Sequence, residues 1–179
     1  WGMIYRSAEI DSLKCYSRRE LRNLGIKTLI DLRASSETGR QSPLQKEFNV
    51  VHIPLATGDM ENILKGIREE KIKSDTVYRM VEQMNRDLID KYTTEYRQIF
   101  DILLDKNSYP VVIHCSSGKG RTGIVSALVL AALGINEDII MEDYRLSNDY
   151  FNIPSASKDA YQLPARSQEA ITTLFSARE

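Results

Sequence analysis

The stretch from Val111 to Leu133 constrains the fold of this chain more than any other part of the sequence. Its first residues, Val111 to Ile113, are apolar and β-branched and follow Tyr109-Pro110, so they predict a short buried strand. Glycines and serines then form a segment that tolerates unusual backbone angles. An apolar run at helical spacing comes next and predicts a helix that stops at Gly134. A strand, a tight turn and a helix in this order are typical of an α/β fold.

The turn between the predicted strand and helix carries residue types that suit chemistry on phosphate. The backbone N–H groups of residues 116–121 can form a concave nest at the positive end of the helix, and such a nest binds anions. Arg121 can hold two oxygens of a phosphate with its planar guanidinium. The same positive field favours the thiolate form of Cys115, which is the form that attacks, and Thr122 can donate its hydroxyl to the sulfur. The predicted phosphate-binding residues are Ser116, Ser117, Gly118, Lys119, Gly120, Arg121 and Thr122.

Each of these residues also has an ordinary structural interpretation. A cysteine after an apolar strand is usually an inert core thiol, and an arginine at the start of a helix is usually a solvated charge. The combination of Cys115, Arg121 and the glycines at fixed offsets favours the reactive interpretation. A nucleotide-binding P-loop is excluded, because Lys119 is followed by Gly120 and no glycine lies five residues before Gly118.

The segment HCSSGKGRTG, residues 114–123, resembles the signature loop of the cysteine-dependent protein tyrosine phosphatase superfamily. A weaker resemblance covers the N-terminal part, where YRSAEI and LRNLGIKTLIDLR are similar to segments of bacterial tyrosine phosphatases and their dual-specificity relatives. The resemblance implies that Cys115 is the nucleophile, that Arg121 binds the phosphate and that a phosphocysteine intermediate forms. It assigns supporting roles to Thr122 and to His114, whose hydrogen bonds would position the cysteine. It implies no metal and no cofactor.

The same resemblance implies a general acid that protonates the leaving oxygen. Residues 56–61 form a predicted loop at the carboxyl end of a predicted strand, Val50 to Leu55, where an α/β fold places its chemistry. Asp59, in this loop, is the leading candidate, and a purely structural role as a loop or N-cap residue is the alternative. The rival candidates for the general acid are Glu61, Asp75 and Asp87.

Strands alternate with helices along the chain. Further strands are predicted at Met3 to Ser7 and at Lys27 to Leu32, and a capping box at Ser17 predicts a helix from Arg18 to about Leu24. This alternation favours an α/β fold with a central, mostly parallel sheet flanked by helices. With 179 residues, the chain is predicted to be a single phosphatase domain, residues 1–179.

Four polar side chains near the predicted strands receive mainly structural interpretations. Asp31 and Arg33 predict an ion pair at a strand end, and His52 alternates with apolar neighbours on a face of the sheet. Arg6 either lines the pocket or braces the 115–121 loop.

Composition excludes several classes of function. The net charge of −1 argues against broad electrostatic binding of nucleic acid, and no apolar run is long enough to span a membrane. The two cysteines, Cys15 and Cys115, do not suggest a disulfide scaffold, although a reversible bond between them could protect Cys115. Because the sequence begins at Trp1, we expect that a segment preceded it, and both a cytoplasmic and a secreted or periplasmic location stay open. The sequence does not indicate which oligomeric state the protein adopts.

The predicted activity is hydrolysis of phosphomonoesters in a phosphorylated protein or a smaller substrate, with phosphotyrosine favoured. Lys119 adds a cation to the loop and would suit a doubly phosphorylated or acidic substrate, or else it is a solvated or ion-paired lysine. The GKGRTG segment resembles that of phosphoinositide phosphatases, whereas bacterial tyrosine phosphatases often have an aspartate at the position of Gly120. The alternatives are a phosphoinositide-directed phosphatase, a non-catalytic phosphate-binding module, and a redox or sulfurtransferase enzyme with a Cys-x5-Arg loop.

Overall fold

The computed structural model describes residues 2–12, 15–38, 42–58, 60–150 and 162–177, without the side chains of residues 15–17. Its sheet has four parallel strands in the order β1-β4-β2-β3. The strands are β1 (Ile4–Ser7), β2 (Thr28–Asp31), β3 (Asn49–His52) and β4 (Val111–His114). All four strands therefore present their carboxyl ends at one edge, and the predicted α/β fold with a central parallel sheet is confirmed.

Helices separate and follow the strands, as the sequence pattern predicts. The described α-helices are α1 (Cys15–Asn23), α2 (Met60–Arg68), α3 (Ser74–Lys91), α4 (Thr93–Leu104), α5 (Gly120–Ala132), α6 (Glu137–Arg145), α7 (Ser147–Tyr150) and α8 (Ala165–Phe175). Short 3₁₀ helices lie at Pro43–Lys46 and Lys106–Ser108.

Several predicted boundaries differ from the observed ones. Helix α1 begins at Cys15, so Ser17 lies inside the helix and the predicted capping box there is wrong. Strand β3 ends at His52 rather than Leu55. The N–H of Ile53 still donates to the backbone oxygen of Asp31, but the N–H of Leu55 donates to Leu32 rather than to Arg33, so the regular register of the ladder ends there. Helix α6 begins after Asn136, whose Oδ1 accepts a hydrogen bond from the backbone N–H of Ile139 at 3.0 Å and so caps the helix.

The chain divides into two compact units, and each has its own apolar core. The first comprises Trp1–Ala56 and Lys91–Ser126 and contains the whole sheet. One buried cluster in it consists of Ile10, Ile26, Leu29, Leu44, Phe48 and Val112. Each such side chain stabilises the fold by about 1.5–3 kcal/mol relative to an exposed position, so this cluster helps to fix the sheet that carries the 115–121 loop.

The second unit comprises Thr57–Asp90 and Ala127–Glu179. Helices α2, α3 and α8 bury Ile63, Ile67, Val77, Ala170, Ile171 and Leu174 against one another. The prediction of a single domain over residues 1–179 stays a prediction. None of the described helices is long and apolar enough to cross a membrane.

A buried ion-pair network lies at the carboxyl end of β2. The Arg33 side chain is 5% exposed, and its Nε and Nη2 atoms donate to the two Asp31 carboxylate oxygens at 2.9 and 2.6 Å. Arg33 Nη2 also donates to Asp11, and its Nη1 lies 3.7 Å from a carboxylate oxygen of Glu9. His52 Nε2 lies 2.7 Å from the backbone oxygen of Arg33. The structural interpretations of Asp31, Arg33 and His52 are confirmed.

Candidate active site

Cys115 directly follows β4 and lies at the carboxyl edge of the sheet. Its side chain is fully buried, and its Sγ accepts a hydrogen bond from the backbone N–H of Gly118 at 3.3 Å. A backbone N–H directed at sulfur stabilises negative charge there. The sulfur therefore lies within reach of a backbone donor of the 115–121 loop. The side chain of Cys15 lies outside the described residues, so the reversible bond to Cys115 that the sequence leaves open stays open.

The carboxyl end of β1 supports the 115–121 loop from one side. Arg6 Nη2 donates a hydrogen bond to the backbone oxygen of Gly118 at 3.0 Å, and the N–H of Glu9 donates to the backbone oxygen of Ser116 at 3.2 Å. Of the two roles that the sequence left open for Arg6, the structure shows the bracing of the loop.

Gly118 occupies a position that no larger residue fits. Its φ is +70°, in the left-handed region, and an added Cβ would lie 2.8 Å from backbone atoms of Ser7 and Ala8. We expect Gly118→Ala to displace the loop and to lower kcat/KM for p-nitrophenyl phosphate on the order of 10²-fold, since small misplacements of reacting groups have effects of that size.

The matched control for this substitution is Gly25→Ala. Gly25 also has a φ of +70°, but an added Cβ there would meet no atom within 4 Å. Both variants carry the same backbone strain, and only Gly118→Ala adds a collision with the strand. Equal kcat/KM values for the two variants would contradict the assigned role of Gly118.

Arg121 lies in the first turn of α5 and is 7% exposed. Its Nη1 donates at 3.3 Å to the backbone oxygens of Leu32 and Leu55, which follow β2 and β3. Nη1 and Nη2 also donate to the two carboxylate oxygens of Glu37 at 2.5 and 2.8 Å. Burial lowers the pKa of the Arg121 guanidinium, but the hydrogen bonds to Glu37 and the nearby Cys115 side chain raise that pKa by more, so the net shift is upward. Arg121 is therefore a fixed, permanently charged group beside the cysteine.

Glu37 is the site residue that the sequence analysis missed. Besides Arg121, its carboxylate accepts hydrogen bonds from Ser116 Oγ at 2.5 Å and from the backbone N–H of Ala34 at 2.7 Å. Burial acts to raise the pKa of Glu37, but the hydrogen bonds from Arg121, Ser116 and Ala34 lower it to about 2. The only signal in the sequence is that Glu37 lies in the loop after β2, at the edge where chemistry is expected.

His114 and Thr122 are both buried, and one hydrogen-bonding atom of each side chain has no partner among the described residues. His114 Nδ1 has no hydrogen-bond partner among the described residues and lies 3.9 Å from Asp31 Oδ1. Burial lowers the pKa of His114 more than the nearby carboxylates raise it, so the ring is neutral. Thr122 Oγ1 also has no partner in the described part of the chain, so its predicted hydrogen bond to Cys115 is not formed here.

The remaining predicted residues lie in different environments. Ser117 and Gly120 are half-buried, whereas Lys119 is only 6% exposed. The interpretation of Lys119 as a solvated lysine is therefore wrong, and the ion-paired alternative stays open. Asp59, the predicted general acid, lies outside the described residues. Its rivals belong to the second unit, where Glu61 is in α2 and Asp75 and Asp87 are in α3. No group of three His, Cys, Asp or Glu side chains is arranged as metal ligands within the described ranges.

Comparisons with known proteins place the chain in a family. The model of the tyrosine phosphatase family matches residues 1–179. The chain is 32% identical to the triple specificity protein phosphatase PtpB of Mycobacterium tuberculosis, over 97% of this chain and 68% of that protein. It is 25% identical to a putative tyrosine-protein phosphatase of Cupriavidus necator, over 82% of this chain and 54% of that protein. It thus spans about two thirds of the first relative and about half of the second.

Among solved structures, TpbA of P. aeruginosa in complex with pTyr matches with a TM-score of 0.46 and 16% identity, over 97% of this chain and 86% of that chain. The match of the family model over the whole chain agrees with the cysteine and arginine found together on the 115–121 loop. The chain belongs to the tyrosine phosphatase family and is a phosphatase that acts on phosphorylated substrates.

Proposed function

We propose that this phosphatase hydrolyses phosphomonoesters, with phosphotyrosine in proteins as the favoured substrate, through a phosphocysteine intermediate on Cys115. One observation carries the proposal. The same loop holds the Cys115 sulfur, a backbone N–H directed at that sulfur, and the buried guanidinium of Arg121. Arg121 and the backbone N–H groups of residues 116–121 hold the equatorial oxygens of the phosphoryl group and stabilise the charge that develops on them.

The reaction proceeds in two displacements. The Cys115 thiolate attacks phosphorus in line, the sulfur–phosphorus bond forms, and the bond to the leaving oxygen breaks with its electron pair. A general acid transfers a proton to that oxygen, so that the alcohol or phenol leaves neutral. Water then attacks phosphorus, the sulfur–phosphorus bond breaks, and inorganic phosphate leaves with the thiolate restored. The buried Thr122 hydroxyl is available to donate to the sulfur as it departs.

Asp59 is our candidate for the general acid, on the sequence argument alone. Glu37 is not placed for that role while its carboxylate lies on Arg121, because it is then ionised, with a pKa of about 2, and occupies donors that would bind the phosphate. A group that donates a proton to the leaving oxygen must be protonated before the reaction begins. The search for the acid therefore stays with Asp59 and its rivals.

We expect Asp59→Asn to lower kcat for phenyl phosphate by about 10²–10⁴-fold, the usual contribution of a general acid. The loss should be much smaller for p-nitrophenyl phosphate, because p-nitrophenolate leaves without a proton more readily than phenolate does. Steady-state assays of both substrates with a chelator present measure the difference, and Glu61→Gln, Asp75→Asn and Asp87→Asn serve as comparison variants. Normal turnover of phenyl phosphate by Asp59→Asn would move the role to whichever rival variant shows the selective loss.

The substrate class is tested on the wild type with a phosphotyrosine peptide, a phosphoserine peptide and phosphoinositide vesicles. We expect the highest kcat/KM for the phosphotyrosine peptide. A preference for phosphoinositide would support the lipid-directed alternative that the GKGRTG segment suggests. Phosphate binding without turnover of any phosphomonoester would replace the proposal with a binding module, and turnover of thiosulfate or arsenate would replace it with the redox or sulfurtransferase class.

A further inference from the structure

We propose that Glu37 competes with substrate for the phosphate site. Its carboxylate must leave Arg121 and Ser116 before the substrate phosphate binds, and this competition sets the affinity of the site for oxyanions. This inference rests on the proposed function, because it takes Arg121 and Ser116 to be the groups that bind substrate phosphate. It adds a residue that determines affinity and that lies outside the predicted catalytic residues.

The first argument is the geometry of the carboxylate. Its two oxygens accept from both terminal nitrogens of Arg121, at 2.5 and 2.8 Å, and one of them also accepts from Ser116 Oγ at 2.5 Å. A planar, two-point contact with guanidinium is how arginine binds phosphate as well as carboxylate. Glu37 thus makes with its own chain the contacts that two phosphate oxygens would make.

The second argument is mutual exclusion. Glu37 takes the terminal N–H groups of Arg121 and the hydroxyl of Ser116, so these donors are not free to bind a phosphate that arrives. A phosphate dianion beside the ionised carboxylate would also meet like-charge repulsion in a site where Cys115 and Arg121 are buried. Occupation by Glu37 and occupation by phosphate therefore oppose each other.

The third argument is that Glu37 can leave at small structural cost. It belongs to an exposed turn, closed by a hydrogen bond from its own N–H to the backbone oxygen of Ala34 at 2.9 Å. The side chain contributes nothing to the apolar core, and in solvent the carboxylate regains its hydration. Two states follow, closed with Glu37 on Arg121 and open with the donors available. The measured dissociation constant for phosphate is then the dissociation constant of the open state divided by the fraction of molecules that are open.

The test is the affinity of the intact chain for inorganic phosphate, measured by isothermal titration calorimetry, which needs no turnover. We expect Glu37→Gln to bind phosphate roughly tenfold more tightly than the wild type, since the neutral amide competes for the guanidinium far less than a charge-assisted pair does. Glu47→Gln is the matched control. It removes the same charge from another carboxylate paired with an arginine, Arg22 at 2.5 Å, and should leave phosphate affinity unchanged.

Phosphate binding by Glu37→Gln that is equal to or weaker than that of the wild type would overturn the proposal and make Glu37 a residue that only positions Arg121. Glu37→Asp is a second test variant. Its shorter side chain keeps the charge but reaches Arg121 less well, so this variant should also bind phosphate more tightly than the wild type. Thermal unfolding of each variant shows that it is folded. Tighter phosphate binding without hydrolysis of any ester would leave this inference standing while the proposed hydrolytic function failed.

Discussion

Cys115→Ser is expected to lower the turnover of p-nitrophenyl phosphate on the order of 10⁴-fold or more, because Cys115 is the only protein nucleophile in the proposed mechanism. A serine hydroxyl fits the space of the thiol, but it is not ionised at neutral pH and is a poor nucleophile without an adjacent base. The two groups that act on the Cys115 side chain, the backbone N–H of Gly118 and the Arg121 guanidinium, are donors, and neither can take the proton of a serine hydroxyl. Steady-state hydrolysis with a chelator present measures the loss.

Two controls separate loss of chemistry from loss of structure. The variant should unfold at a temperature close to that of the wild type, since oxygen for sulfur is a small change in a buried position. It should also still bind inorganic phosphate, because Arg121 and the loop amides are intact. Turnover by Cys115→Ser at a rate near that of the wild type would remove Cys115 from the mechanism.

Arg33→Met is expected to lower the free energy of unfolding by about 3–5 kcal/mol, the usual effect of removing one partner of a buried ion pair. Without Arg33, the carboxylate of Asp31 is left buried with no compensating cation, and Asp11 and Glu9 lose their contacts to the same guanidinium. Urea unfolding followed by circular dichroism measures the change. Adding Asp31→Asn to Arg33→Met should recover part of the lost free energy of unfolding, because the double variant no longer has an unpaired buried carboxylate.

The pH dependence of this effect has a defined sign. Burial acts to raise the pKa of Asp31, but the hydrogen bonds from Arg33 lower it more, so the folded-state pKa lies below that of the unfolded chain. The stabilisation is therefore complete above the unfolded pKa and is lost as the pH falls through the folded one. The difference in unfolding free energy between the wild type and Arg33→Met should therefore become smaller under acid conditions. Equal unfolding free energies for the wild type and Arg33→Met at neutral pH would contradict the assigned role of Arg33.

The sequence predicted well those features that depend on neighbours along the chain. The strand, loop and helix from Val111 onwards follow from hydrophobic spacing, and the pair of Asp31 and Arg33 lies at the end of one strand. The parallel sheet follows from the alternation of strands and helices. In each case, local residue types specify the structure, and the tertiary fold agrees with them.

The features that the sequence did not predict depend on contacts between distant segments. Glu37 reaches Arg121 across 84 positions. For Arg6, which reaches Gly118 across 112 positions, the sequence left two roles open and could not choose between them. No periodicity or motif marks a glutamate in a polar loop as the partner of a buried arginine. The burial of Lys119 and the absence of a hydrogen bond from Thr122 to the sulfur likewise depend on how the loop packs, which residue types alone do not define.

Detection of the covalent intermediate tests the central claim most directly. The wild type is mixed with p-nitrophenyl phosphate, quenched in denaturant during turnover, digested and examined by peptide mass spectrometry. The mechanism predicts a phosphoryl group on the peptide that contains Cys115, present only with substrate and absent from Cys115→Ser. A phosphoryl group carried by a different residue, or rapid hydrolysis that proceeds with no phosphorylated peptide at any quench time, would contradict a phosphocysteine mechanism.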